Sequence, residues 1–337
     1  MSLTLDELPD ALLVVSFGGP SGPDEVRPFL ESVVRGRGVP PERLDVVAQH
    51  YAHFGGRSPI VDATDALVVA LREHLAADGP EIPVYLGNRH GQPLLADAMT
   101  RMRDDGVQRA LAFVTSAFSS WSGCRQYLDA IGEAWSAVPG APRIDKLRAC
   151  WNHPGFLEAS RLRIQEVLPD EPSLLLFTGH SLPVAQAAGC AYEDQLREAA
   201  RLLSEDLGGL PWELVWQSRS GPPQVPWLEP DVLTALDGLA ARGETRPIVL
   251  VPLGFLADHM EVVWDLDVEA AERAASLGLR LVRAPTVGTH PAFIATVGDL
   301  VRERFGASRP VRGRLPALPD ICPAGCCPPG PRRPVTR

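Results

Sequence analysis

The 337-residue sequence predicts an α/β protein of two similar domains, each a parallel β-sheet flanked by helices, with the active site in the cleft between them. Two observations carry this reading. Short apolar runs bounded by Gly, Pro or Ser recur along the chain with helical patterns between them, and they lack polar alternation, as strands covered by helices on both faces must. Two strand ends also rhyme: LLVVSFGGP closes at Pro20 and SLLLFTGHSLP closes at Pro183, each an apolar strand that breaks into a Gly-containing turn. The rhyme places one copy of the motif in each half, joined near WNHPGF at 151–156. The expected divisions are a first domain over 1–155, a second over 156–308 and a tail over 309–337.

Taken in order, the expected strands are ALLVVSF (11–17), PVYLG (83–87), ALAFVTS (110–116), LLLFTG (174–179), ELVWQS (213–218), IVLVPLGF (248–255) and LRLVRA (279–284). Between them, segments such as TDALVVALREHLAA (64–77) and QLREAARLLSEDL (195–207) place apolar residues at a period of about 3.6, the mark of an amphipathic helix. From Arg309 onward the helical period stops, and eight prolines fall in 29 residues. Such a segment buries no core by itself, so if it is ordered something else must hold it.

Composition narrows the function. A hydrophobic share of 45% with 22% charged residues is that of a globular protein. The formal net charge of −10 argues against nucleic acid as a partner, because phosphate neutralisation needs a basic face. The acidic N-terminus MSLTLDELPD is no secretion signal, and no apolar run approaches the ~20 residues that span a bilayer. A cytoplasmic protein without an integral membrane segment is expected. Six cysteines in such a chain point to free, metal-binding or catalytic thiols and away from disulfides, and Cys322, Cys326 and Cys327 crowd the tail.

In open α/β sheets the ligand sits beyond the carboxyl ends of the strands, so the residues that follow each strand are the candidates. His180 stands there on the tight turn TGHSLP, where an imidazole serves as metal ligand or as a base near neutral pH. In DHMEVVWDLDVEA, residues Glu261, Asp265 and Glu269 follow at i, i+4 spacing, and on a helix three carboxylates would line one face. A solvated acidic face is the plain alternative; a conduit for a divalent cation or for protons is the functional one. The glycines of GGPSGP at 18–23 lack dinucleotide spacing, and neither a G-x-S-x-G elbow nor an H-E-x-x-H site occurs. Arg35, Arg37 and Arg57 follow the first strand, where they suit an anionic ligand or an ordinary surface.

Together SFGGP, HYAHFGGRSPI, FTGHSLP, VWQSRSGPPQVPWLEPDV and PLGFLADHMEVVWDLDVEA, in this order and spacing, resemble the ferrochelatases, which insert ferrous iron into a porphyrin. The resemblance spans about residues 10–305, and the Arg/Ala-rich composition with RGRGVP and the cysteine tail is similar to the actinobacterial branch acting on coproporphyrin III. It implies two Rossmann-like (chelatase) domains, with His180 and Glu261 as catalytic residues and ligands of the substrate Fe2+. It also implies Asp265 and Glu269 as an acidic path, and porphyrin contacts at Phe17, Arg57, Ser58 and Tyr127. Phe17 stands where some members have tyrosine, and His50 where some have arginine. A monomer is expected. Some members hold a [2Fe–2S] cluster through three C-terminal cysteines and one internal cysteine, which here implies Cys322, Cys326 and Cys327 with Cys124, Cys190 being second choice and Cys150 third. The rival readings are a protoporphyrin IX ferrochelatase, a cobalt or nickel chelatase of a less oxidised tetrapyrrole, and a haem-delivery protein without turnover.

Overall fold

The computed structural model describes residues 8–36, 38–221, 224–323 and 325–330. Two four-stranded parallel sheets form its frame. The first contains β1 (Ala11–Ser16), β2 (Val84–Asn88), β3 (Arg109–Val114) and β4 (Arg143–Lys146) in the order β2-β1-β3-β4. The second contains β5 (Leu174–His180), β6 (Trp212–Gln217), β7 (Ile248–Val251) and β8 (Leu281–Arg283) in the order β6-β5-β7-β8. The two orders are the same pattern, and the rhyming motifs are the central strands β1 and β5. In both sheets the chain leaves the central strand first to one side and then to the other, which opens a crevice at the carboxyl ends of those strands.

Helices fill the connections. The first half has α1 (Pro23–Val33), α2 (Pro41–His53), α3 (Pro59–Asp78), α4 (Leu95–Asp104) and α5 (Gln126–Ala137). The remainder has α6 (Pro154–Gln165), α7 (Val184–Ala187), α8 (Tyr192–Asp206), α9 (Val232–Ala241), α10 (Met260–Val262), α11 (Ala271–Ser276) and α12 (Pro291–Glu303). Five of these begin with proline, whose fixed φ suits the first helical position and whose missing N–H is no loss there. Two π-helical turns, Trp121–Arg125 and Val263–Ala270, precede α5 and α11.

Side-chain alternation along the strands divides the core. Leu12, Val14, Leu111 and Phe113 face inward, as do Leu175, Phe177, Val249 and Val251 of the second sheet, and all belong to one core with α3, α6, α8 and α12. The opposite face of the first sheet packs Leu13, Val15 and Ala112 on α4 and α5, and that of the second packs Leu174, Leu176 and Leu250 on α9 and the second π-turn. This is why the central strands read as unbroken apolar runs. β4 is the exception: RIDK carries one large apolar residue, lies at a sheet edge and is held by Arg109 through Asp145, so it leaves no apolar signature.

The tail is held before any metal is considered. Arg312 pairs with Asp206 at 2.6 Å, its N–H donates to the Asn152 carbonyl, and the Arg314 N–H donates to Glu198 Oε1 at 2.8 Å. Leu315 and Leu318 pack against the shared core. Among the described residues no helix is long and apolar enough to cross a membrane. Arg37, one of the three arginines noted after the first strand, lies outside the described residues.

Candidate active site

His180 is the last residue of β5, and its position follows from a glycine contact. A side chain at Gly179 would meet Leu196 at 2.8 Å, and one at Gly254 would come within 2.8 Å of the Gly179 backbone. The bare backbones therefore touch, with Gly254 N–H donating to Thr178 O at 2.9 Å. That contact draws the chain after β7, which continues into α10 and Glu261, against the end of β5.

The result is a His180 Nε2 to Glu261 Oε2 distance of 3.5 Å, while Nδ1 of His180 lies 2.7 Å from the Ser181 carbonyl. The carbonyl fixes the Nδ1–H tautomer or the imidazolium, leaving Nε2 directed at the carboxylate. The two side chains keep 32% and 51% of their surface accessible. Burial opposes the imidazolium of His180, but the hydrogen bond and charge of Glu261, with the Ser181 carbonyl and Asp265, outweigh it and raise its pKa. Burial likewise opposes ionisation of Glu261, yet His180 and His259 hold its carboxyl below the ordinary value.

Asp265 behaves differently. Burial, helped by the charges of Glu261 and Glu269 and resisted by the Ser218 hydrogen bond, pushes it up to about 7. Ser218 Oγ donates to Asp265 Oδ2 at 2.5 Å from a residue at φ +61°, a left-handed conformation that is costly for a serine. Gln217, anchored by Thr178 at 2.8 Å, reaches the Glu261 carbonyl and Asp265 Oδ2 at 3.4 Å each. Of the ladder expected on a regular helix, Glu261 lies on the short α10 and Asp265 and Glu269 on the π-turn that follows, where Glu269 accepts from Trp264 Nε1 at 2.9 Å and is exposed. π-turns are rare and concentrate at functional sites. His259, Gln217 and Ser218 complete this site without having been singled out in the sequence; their signals were position after a strand and membership of the motifs that carry the resemblance.

The first half closes over the pair. Phe29, Leu30 and Tyr51 of α1 and α2 pack with Met260 and Val263, and burial followed by the Glu261 charge raises the Tyr51 hydroxyl pKa. His50 stacks flat on Trp264 with ring centres 3.9 Å apart. Of the four expected porphyrin contacts, Phe17 and Tyr127 are joined through Arg89, whose guanidinium lies 5.5 Å and 4.8 Å from their ring centres. Tyr127 is only 6% exposed and Ser58 only 1%. Ser58 backs onto Gly19, whereas Arg57 is turned outward, paired with Asp62 and donating to the Ser21 carbonyl. Arg57 borders a separate cavity of about 410 Å³ with Gly18, Asn88 and Arg101, which neither His180 nor Glu261 lines.

The cysteines fall into two groups. Burial pushes the Cys327 thiol up, and Cys124, Cys326 and Cys190 all add to the shift, so four thiols share one neighbourhood. Cys322 is raised by burial and by Cys124 and Cys326, and the Cys326 and Cys327 sulfurs are 3.6 Å apart. Cys150 lies elsewhere, in the shared core, where burial raises its thiol to about 12 beside Arg148. The tail reaches the second half as well, Pro328 packing on Gly189 next to Cys190. Among the described residues no group of three or more His, Cys, Asp or Glu side chains is gathered closely enough to hold a metal ion.

Residues 9–305 match the family model described as Ferrochelatase. The ferrochelatase of Rhodopirellula baltica is 46% identical over 340 residues, covering 98% of this chain and 97% of the relative. The coproporphyrin III ferrochelatases of Mycolicibacterium smegmatis and Frankia alni are 48% and 50% identical, over 94% and 95% of this chain and 94% and 87% of theirs. Among solved structures, SirB from Bacillus subtilis with Fe3+ superposes with a TM-score of 0.58 at 13% identity, over 87% of this chain and 94% of that one. CbiX, described as the terminal enzyme of sirohaem biosynthesis in denitrifying bacteria, gives 0.50 at 16% identity, over 87% of this chain and 98% of its own. At such identities these two likenesses are of fold, and they match the paired parallel sheets described above. From the family match over 9–305 and relatives at 46–50% identity along nearly the whole length, the chain belongs to the ferrochelatase family.

Proposed function

We propose that this member of the family inserts Fe2+ into coproporphyrin III with release of two pyrrole protons, using His180 and Glu261 as the proton acceptors and transient iron contacts. The observation that carries the reading is the His180–Glu261 pair, 3.5 Å apart at the crevice of the second sheet. Glu261 is held ionised as a carboxylate and His180 is an imidazole of raised pKa, so the carboxylate can take a proton in passing and the imidazole, once neutral, can hold one. A flat porphyrin keeps its nitrogen lone pairs in the ring plane, so the cleft must hold the ring buckled, at a strain of about 1–5 kcal/mol drawn from remote contacts. Asp265, titrating at about 7, and exposed Glu269 form the path by which iron enters or protons leave. No electrons move, so the step needs no redox partner. Phe17, Ser58, Tyr127 and Arg57 are the proposed porphyrin contacts. The coproporphyrin assignment is supported by relatives of that name at 44–50% identity.

The test is anaerobic mixing of purified protein and Fe2+ with coproporphyrin III or protoporphyrin IX, following the free-base visible bands. Catalytic loss of those bands with coproporphyrin preferred is expected. Preference for protoporphyrin would overturn the substrate, and spectral shifts without turnover would favour a haem carrier.

A [2Fe–2S] cluster on Cys322, Cys326, Cys327 and Cys124 is part of the same proposal, with purification as a monomer. The donor chemistry fits: four thiolates are the usual ligation, and Cys124 and Cys326 share the neighbourhood of Cys327. The neutral thiols of Cys322 and Cys327 must lose their protons on binding, which offsets part of the affinity at low pH. When bound, the cluster would fasten the tail to the body. Cys124→Ser is expected to abolish the cluster's visible absorption while Cys190→Ser keeps it; the reverse result would make Cys190 the fourth ligand.

A further inference from the structure

Arg283 ends β8, at the edge of the second sheet, and has no role in the chemistry above. Its guanidinium reaches two separate segments. Toward the loop before Glu261, Nη1 and Nη2 donate to Asp258 Oδ1 and Oδ2 at 3.2 and 3.0 Å. Toward the π-turn, Nε and Nη2 donate to Asp267 Oδ1 and Oδ2 at 2.5 and 2.9 Å. Nη1 also reaches the carbonyl of Ala284 at 3.4 Å. The guanidinium is thus spent in two bidentate forks, a geometry that a lysine cannot reproduce. The Arg283 side chain is 18% exposed, so these bonds are partly shielded from water.

What the forks hold matters more than their own energy. Asp258 is three residues before Glu261, and Asp267 sits between Asp265 and Glu269 on the widened turn. π-turns are rare, and this one, with the short α10 before it, must keep Glu261 of α10 beside His180 and Asp265 against Ser218 at the same time. We propose that Arg283 is a positioning residue that clamps the entry and the middle of this segment, fixing where Glu261 and Asp265 project. The proposal rests on the reading of His180, Glu261 and Asp265 as the iron and proton path.

Steady-state anaerobic iron insertion, with Fe2+ and coproporphyrin III varied in turn, tests it on Arg283→Ala, Arg283→Lys and Asp267→Asn. A misplacement of about 1 Å in a reacting group costs on the order of 10²-fold, so Arg283→Ala is expected to lower kcat/KM for Fe2+ by about that factor, with the KM for coproporphyrin kept within about twofold. Arg283→Lys keeps the charge without the forks and is expected to stay near the alanine variant. Asp267→Asn, at an accessible position, weakens one fork; it should show a smaller loss, and combined with Arg283→Ala it should add nothing. Millimolar guanidinium chloride should restore part of the rate of the alanine variant, and equimolar sodium chloride should not. Wild-type iron kinetics in both Arg283→Ala and Asp267→Asn, or full rescue by lysine, overturns the clamp. If Arg283→Ala fails to fold, Asp267→Asn alone decides. Glu261→Gln serves as control: undiminished turnover there would overturn the path itself, whatever the Arg283 variants do.

Discussion

Replacing His180 with alanine is expected to lower kcat for iron insertion by about 10²–10⁴-fold, the range that a positioned proton acceptor contributes. The fold should survive, because the imidazole keeps 32% of its surface accessible and is no part of the packed core. Only its Nδ1 contact to Ser181 and its approach to Glu261 are lost. Thermal unfolding and porphyrin-binding spectra close to wild type, with turnover lost, would establish the role; near-normal turnover would remove His180 from the mechanism. The pH profile adds a second check. His180 accepts a proton only when neutral, and its pKa is raised above 6.5, so the wild-type rate should climb as pH rises past that value. Glu261 is already ionised there and contributes no slope in that range. The alanine variant should lose the limb that His180 supplies, and Asp265, no longer held down by the His180 charge, should titrate higher than in the wild type.

The second large effect is structural. Glu303→Ala is expected to destabilise the protein by about 3–5 kcal/mol, the usual consequence of stranding a buried charge. Arg148 and Glu303 keep only 1% and 2% of their side-chain surface and meet through two hydrogen bonds of 2.8 and 2.7 Å. Without Glu303, the Arg148 guanidinium keeps only the carbonyls of Ala149 and Pro310. The pair ties the chain after β4 to the last turn of α12, and Arg309 at the start of the tail also approaches Glu303 at 3.4 Å. The loss should therefore appear in urea unfolding and as earlier proteolysis of the tail. Arg148→Met combined with Glu303→Leu should recover much of the loss, since neither charge then stays buried. By contrast, Arg273→Ala breaks a pair with Asp237 that is 43% and 47% exposed, and should cost less than about 1 kcal/mol.

These two cases mark where sequence reading reaches its limit. His180 was legible because a strand end followed by a Gly-containing turn is a local signal, and the crevice rule turns that signal into a place. Arg148 and Glu303 are 155 residues apart, and nothing in either neighbourhood names the other. The same holds for Arg283, which reads as the polar end of an edge strand, and for the stack of Phe17, Arg89 and Tyr127. The carboxylate spacing of Glu261, Asp265 and Glu269 was visible, but the carriage of Asp265 and Glu269 on a π-turn was not, because a widened turn leaves the apolar period nearly unchanged. β4 escaped because an edge strand needs only one buried face.

The sequence by itself determined the doubly wound α/β class, the central strands β1 and β5, the family motifs and the residues at strand ends, since burial on both faces writes an unbroken apolar run. Tertiary structure alone decided how the two sheets share one core and what holds the Pro-rich tail before any cluster. It also decided which thiols gather near Cys327 and how Asp265 comes to titrate at about 7. The physical reason is range: periodicity records how each residue meets its own sheet or helix. Charge pairing, close backbone approach and desolvation arise only when distant segments are brought together.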